Sequence, residues 1–180
     1  MKKRNKTMIL ALSSALLCAC AQPIELQKHT FTIELGKDVY ANPSLYIKNG
    51  EKFQSGQLKV IPATRGIAKK DNRFVTLGKE YLVVGEYDFE IRNGSQETPF
   101  RIKIKDTLPP TLVEHPDEIS GPLNSTIDWN SVFHATDLSG VSYEAPSDLT
   151  AQTGEHEIIV TISDRYGNKI EQPIKVIVNA

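Results

Sequence analysis

Gly154-Glu-His-Glu-Ile158-Ile-Val160-Thr-Ile162-Ser-Asp164-Arg-Tyr-Gly167-Asn168 decides how the rest of the chain is read. Ile158, Val160 and Ile162 recur at every second position, the period of a half-buried strand. Asp164 and Gly167-Asn168 then supply a turn: Asp closes it with its side chain, and Gly-Asn accepts a positive φ. Beyond the turn Ile174, Val176 and Val178 resume the same period. A strand, a turn and a second strand follow one another, and Gly154 stands where the chain swings into the first of them.

The pattern repeats upstream. Phe31-Thr-Ile33-Glu-Leu35, Tyr87-Asp-Phe89-Glu-Ile91 and Phe100-Arg-Ile102-Lys-Ile104 alternate in the same way. Asn49-Gly50, Asn93-Gly94 and Ser139-Gly140 add turn signals between them. No segment reads as an amphipathic helix of ten residues or more; Asp128 to Ala135 fits one short turn with Asp128 as its cap. The fold class is therefore all-β.

Two copies of one unit account for the order of these strands. Leu35, Val39, Asn42 and Leu45 return as Leu123, Ile127, Asn130 and Phe133. Gly85-Glu86 with Tyr87, Phe89 and Ile91 returns as Gly154-Glu155 with His156, Ile158 and Val160, and Pro99 returns as Pro173. The first copy carries extra residues between about Lys48 and Val83. Asp106-Thr-Leu-Pro109-Pro110 separates the copies: two prolines fix φ and remove two donors, so no ladder runs through them.

Asp106-x-x-Pro-Pro, Ala135-Thr-Asp137-Leu-Ser-Gly-Val141 and Gly154-x-His-x-Ile-x-Val-x-Ile-x-Asp164-x-x-Gly-Asn168 resemble bacterial immunoglobulin-like (Ig-like) domains. The resemblance implies a two-sheet Greek-key sandwich, found in tandem on surface proteins, and covers residues 106–180. The first half shares the opening Glu34-Leu-Gly36-Lys and the Gly-Glu-Tyr hairpin, but lacks the Asp-x-x-Gly-Asn turn. The expected division is two Ig-like β-sandwich domains at 29–105 and 106–180. Trp129, the only tryptophan, is expected in the core of the second.

The beginning of the chain sets a location. Lys2, Lys3, Arg4 and Lys6 precede an apolar run from Met8 to Ala19. That run is too short for a membrane-spanning helix, which needs roughly 20 residues, and reads as an export signal. The ending Leu17-Cys18-Ala19-Cys20 resembles the lipobox of bacterial lipoprotein precursors. This implies a signal peptide at 1–19, fatty acylation of Cys20 and a tether at 20–28; an ordinary secretory signal that discards both cysteines is the alternative. The protein is then expected on the extracytoplasmic face of a cell membrane. Two or more acyl chains anchor stably where one is marginal.

Charge and cysteine content narrow the function. Four of the 21 basic residues precede Cys20, leaving 17 against 22 acids, a balance of −5. A mildly acidic chain without a basic cluster argues against nucleic acid as a partner. No cysteine follows Cys20, so neither disulfides nor thiol chemistry enter. His29, His115, His134 and His156 show no paired spacing, and no nucleophile elbow or phosphate loop occurs. No catalytic residue, cofactor or metal is assigned, and the chain is not expected to be an enzyme.

One cation hypothesis arises: Asp106, Asp137 and Asp164 could converge at one end of the second sandwich and hold calcium. In the simpler reading each aspartate closes its own turn. The segment from Gly66 to Arg73 reads as a hairpin, and Arg65, Arg73 and Phe74 are the candidate binding residues. The sequence thus predicts a lipid-anchored surface protein that binds an envelope protein or surface glycan. A spacer or accessory subunit of an envelope assembly is the rival, and an auxiliary module of an enzyme a third.

Overall fold

The computed structural model describes residues 22–180; the expected signal peptide and Cys20 lie outside the described residues. Among the described residues thirteen strands form two modules with separate hydrophobic cores. The first contains β1 (Thr30–Glu34), β2 (Val39–Tyr40), β3 (Lys59–Pro62), β4 (Ile67–Lys70), β5 (Arg73–Thr76), β6 (Gly85–Asn93) and β7 (Gln96–Lys105). The second contains β8 (Thr111–Glu114), β9 (Glu118–Pro122), the one-turn helix α1 (Trp129–Val132), β10 (His134–Thr136), β11 (Val141–Glu144), β12 (Gly154–Asp164) and β13 (Lys169–Asn179). Asp128 caps α1 by accepting from the Asn130 N–H at 3.1 Å, as the sequence predicts. The chain then returns to strand at His134 rather than remaining in a turn.

In the first module one sheet has the order β1-β7-β6-β3 and the other β2-β5-β4. β1 runs parallel to β7, whereas β6–β7 and β3–β6 are antiparallel. This is the strand arrangement of an Ig-like sandwich, with one sheet of three strands facing one built on the last hairpin. Alternation directs Phe89, Ile91, Phe100, Ile102 and Ile104 inward, where each is at most 4% exposed. Phe74 meets Phe89 across the sheets at 5.0 Å between ring centroids.

The second module repeats the β11-β12-β13-β9 sheet, again with a parallel partner on the last strand. Its opposite sheet has only β10 and β8. The extra residues expected in the first copy between about Lys48 and Val83 include a pair of strands that the second copy lacks. These form the β4–β5 hairpin, which completes the second sheet. In the second copy a short loop stands there instead, and its buried Leu149 seals the core.

The last hairpins of the two modules have equivalent registers. Glu90 pairs with Pro99 and Ile159 with Pro173. Each proline lies just before the third strand joins, at Arg101 and at Lys175. A residue without an N–H is tolerated where no neighbour needs it. Trp129 stacks on the fully buried Phe133 at 5.9 Å and contributes to the second core, as expected.

Of the tether expected at 20–28, residues 22–28 are described, and most of these are docked. From Pro23 onward the chain belongs to the first module: Ile24 and Leu26 join its core, and Leu26 pairs with Ile47. Apolar residues at alternate positions give this segment a reason to stay docked.

Candidate functional site

The ends of the two modules meet around the Asp106–Pro110 connector. Glu34, at the end of β1, accepts from the Thr107 N–H (2.8 Å) and the Thr107 hydroxyl (2.7 Å). Hydrogen bonding from Thr107 holds the Glu34 carboxyl below its usual range. From the other side, the Asn168 side-chain amide donates to the Asp106 carbonyl at 3.2 Å. Gly36 adopts φ +79°, and a Cβ there would run into Leu138 Cδ1. The connector is therefore stiff for two reasons: its prolines and its clips to both neighbours. A cleft of about 360 Å³ opens beside it, lined in part by Leu35, Leu108 and Pro109.

Asp106, Asp137 and Asp164 converge here, with one carboxylate oxygen of each within 4.8 Å of the others. Asp164, 6% exposed, accepts from the N–H groups of Tyr166 (2.7 Å) and Asn168 (2.9 Å) and from the Asn168 amide (2.6 Å). Burial pushes its pKa up, but these donors outweigh burial and hold it below the ordinary value. Asp137 accepts from the N–H and the hydroxyl of Ser139, both at 2.7 Å. The turn-closing reading thus holds for these two.

It does not hold for Asp106. Its Oδ2 is shielded from solvent and accepts no hydrogen bond. Burial raises its pKa most, and the charges of Asp137, Asp164 and Glu34 raise it further, against a lowering contribution from Ser139. A buried carboxylate oxygen without a donor is costly. Together with the neighbouring Asp137 and Asp164 carboxylates it offers three oxygens of the kind a hard cation takes; calcium takes 6–8 oxygens, so carbonyls and water would complete the shell. The donor set fits calcium in kind and supplies part of the number.

The three candidate binding residues do not form one surface. Phe74 is 2% exposed and lies in the first core, so it cannot contact a partner. Arg73 is half-buried and bound to Asp38 at 2.8 Å. Arg65 is exposed at the opposite end of the β4–β5 hairpin, since Lys70 pairs with Arg73 and Ile67 with Thr76. Alternation had turned Phe74 inward, a consequence legible only once its sheet is known. Lys69 and Lys70 do lie exposed near the hairpin tip.

Sequence reading also missed three polar ties. Glu34 to Thr107 is one. Asn49 is another, 3% exposed and bonded to the backbone of Pro23 and Glu25. The third is Tyr87, whose hydroxyl donates to the Val83 carbonyl at 2.7 Å. A tyrosine at the start of the penultimate strand of an Ig-like sandwich was a usable signal for that bond.

No family model matches the sequence, and no curated protein matches it. Solved structures match at low similarity. The Sidekick-1 immunoglobulin domains 1–4 are 13% identical over 83% of this chain and 46% of that one, with a TM-score of 0.36. Extracellular domains 3–5 of Drosophila OTK are 13% identical over 88% and 63%, also at 0.36. An endo-fucoidan hydrolase of glycoside hydrolase family 107 is 11% identical over 87% and 29%, at 0.30. The chain spans less than two thirds of the length of each. At these scores the likenesses decide neither fold nor function; sheet order assigns the fold.

Proposed function

We propose that this is a lipid-anchored extracytoplasmic protein whose two Ig-like modules serve binding, by adhesion or by docking to an envelope protein or surface glycan. The observation that supports it is the clipped connector. Glu34 grips Thr107 from the first module and Asn168 grips Asp106 from the second. A stiff tandem presents end loops at a fixed distance from its anchor, and loops on a rigid scaffold are where recognition concentrates.

The stiffness equally suits a spacer, so the test must separate the two. A photo-crosslinking residue replaces Ser147, in the loop after β11, or Arg65 in the intact acylated protein within the producing cell. One discrete crosslinked partner from either position supports binding. No partner from either supports the spacer. Mass spectrometry of the same material reads the anchor: acyl chains on an N-terminal Cys20 are expected, and an uncleaved or unmodified chain removes that part of the proposal.

A further inference from the structure

The first module has two poles, and hydrogen bonds fix which one faces the anchor. β1 and β7 run in parallel and end at Glu34 and Lys105, beside the connector. The β6–β7 hairpin turns at the other pole, between Asn93 and Gln96. Gln57 donates to Asn93 there at 3.2 Å, which places the 50–58 loop at the same end.

The start of the described chain is secured to that pole. The side chain of Asn49 accepts from the Glu25 N–H at 3.1 Å and donates to the Pro23 carbonyl at 2.9 Å. Lys48 donates from its backbone to Glu25 at 2.7 Å, and Gln27 to Tyr46 at 2.8 Å. Asn49 is 3% exposed, so water does not compete for these bonds. Pro23 stands three positions after Cys20, and a fully extended chain covers at most about 11 Å over that span.

We propose that the pole carrying Asn49, the Gly50–Gln57 loop and the Asn93–Gln96 turn rests against the headgroup layer of the membrane that holds the Cys20 lipid. This rests on the lipid-anchor reading. The chain outside the structure is too short to let the module stand clear of the surface. Side chains at the pole suit a wet, neutral layer. Glu51, Lys52, Gln54, Ser55 and Gln57 are exposed, Lys52 lies 3.6 Å from Glu25, and Phe53 is half-buried. Charges of both signs alternate, so contact does not need anionic lipid and is insensitive to salt.

The test uses the acylated protein in phosphatidylcholine vesicles containing a small fraction of nickel-chelating lipid. The thiol of Cys20 is consumed by lipid, so a single added cysteine takes a nitroxide label. Ser55→Cys marks the proposed pole and Lys79→Cys the opposite one, about 30 Å away by the length of β6 and β7. Headgroup nickel is expected to relax the label at position 55 strongly and the label at 79 weakly, at low and high salt alike. Equal relaxation at both positions in vesicle-bound protein overturns the orientation and leaves the anchor intact. Failure to float with vesicles overturns the anchor, and the orientation with it. Asn49→Ala, checked for a native circular dichroism spectrum, is expected to reduce the difference between the two labels.

Discussion

Tyr87 and His156 occupy the same place in the two modules and make the same bond by different chemistry. The Tyr87 hydroxyl reaches the carbonyl of Val83 at 2.7 Å, and His156 Nε2 lies 3.1 Å from the carbonyl of Gln152. Each partner is four residues upstream. In both modules the side chain ties the start of a long strand to the loop that feeds it, which is the part a tyrosine corner plays in Ig-like sandwiches. His156 is therefore more than the packing residue its position in an alternating strand implies.

Removing the tie in the better-buried copy has a defined cost. Tyr87→Phe keeps the ring and loses one hydrogen bond, so stability is expected to fall by about 1 kcal/mol. His156→Tyr keeps a donor in place and is expected to change stability less. Urea denaturation measures both; a Tyr87→Phe protein as stable as the parent would falsify the role.

Gly36 of the first module lies directly against Leu138 of the second. Gly36→Ala forces a side chain onto a φ of +79° and against Leu138. A loss of roughly 1–3 kcal/mol is expected from conformation and overlap together. Gly36→Ala combined with Leu138→Ala should recover the overlap portion only. A thermal melt of the three variants separates the contributions, and no recovery would mean that Leu138 yields freely.

The sign of the Asp106 contribution follows from its raised pKa. In the pH window between the ordinary value of 3.8 and the higher folded value, the folded state binds a proton that the unfolded state does not. The carboxylate therefore destabilises the fold above that window, and the penalty fades as pH falls through it. Asp164 and Glu34, both lowered, act oppositely and lose their contribution as pH falls through their folded values. Asp106→Asn is expected to raise the melting midpoint at neutral pH and to lose that advantage towards pH 4.

Calcium addresses the same repulsion from another direction. Excess calcium is expected to raise the midpoint of the parent protein and to leave Asp106→Asn nearly unmoved. Identical parent midpoints with and without the ion would confine Asp137 and Asp164 to closing their turns.

Asn49 should control the amino-terminal segment locally. Asn49→Ala leaves the Glu25 N–H and the Pro23 carbonyl without their partner, at a cost of about 1–3 kcal/mol. Amide exchange at Glu25 and Gln27 is expected to accelerate while β6 and β7 remain protected. Uniform acceleration would show that the segment unfolds only with the whole module.

Phe74 and Arg65 are distinguished by stability alone. Phe74→Ala opens the first core and is expected to cost about 3–5 kcal/mol. Arg65→Ala is an exposed change, expected within roughly 0.5 kcal/mol. Only the second variant is suited to probing a partner.

Strand content and duplication were legible because they depend on local rules. Period-two alternation in Tyr87–Ile91 or Ile158–Ile162 follows from side chains pointing to opposite faces of a strand. The Gly-Glu hairpin starts and the recurring prolines gave the repeat. Which copy was complete was not legible. A β4–β5 hairpin and an inserted loop look alike until the hairpin is seen to pair with β2.

The same division applies to the junction. The residues Asp106, Asp137 and Asp164 were nameable in advance, because each stands in a turn or connector where acids are common. Their approach within 4.8 Å depends on three loops from distant parts of the chain arriving at one point. The missing donor at Asp106 depends further on what surrounds it. No local pattern encodes either.

The sequence by itself determined an all-β chain, its two-fold repetition and the proline break between the halves, since each is fixed by neighbours within a few residues. Tertiary structure alone decided that Phe74 is core, that Asn49 holds the amino-terminal segment and that both modules clip the connector. Those outcomes are set by contacts between residues tens of positions apart, where burial, rather than local conformation, selects the partner.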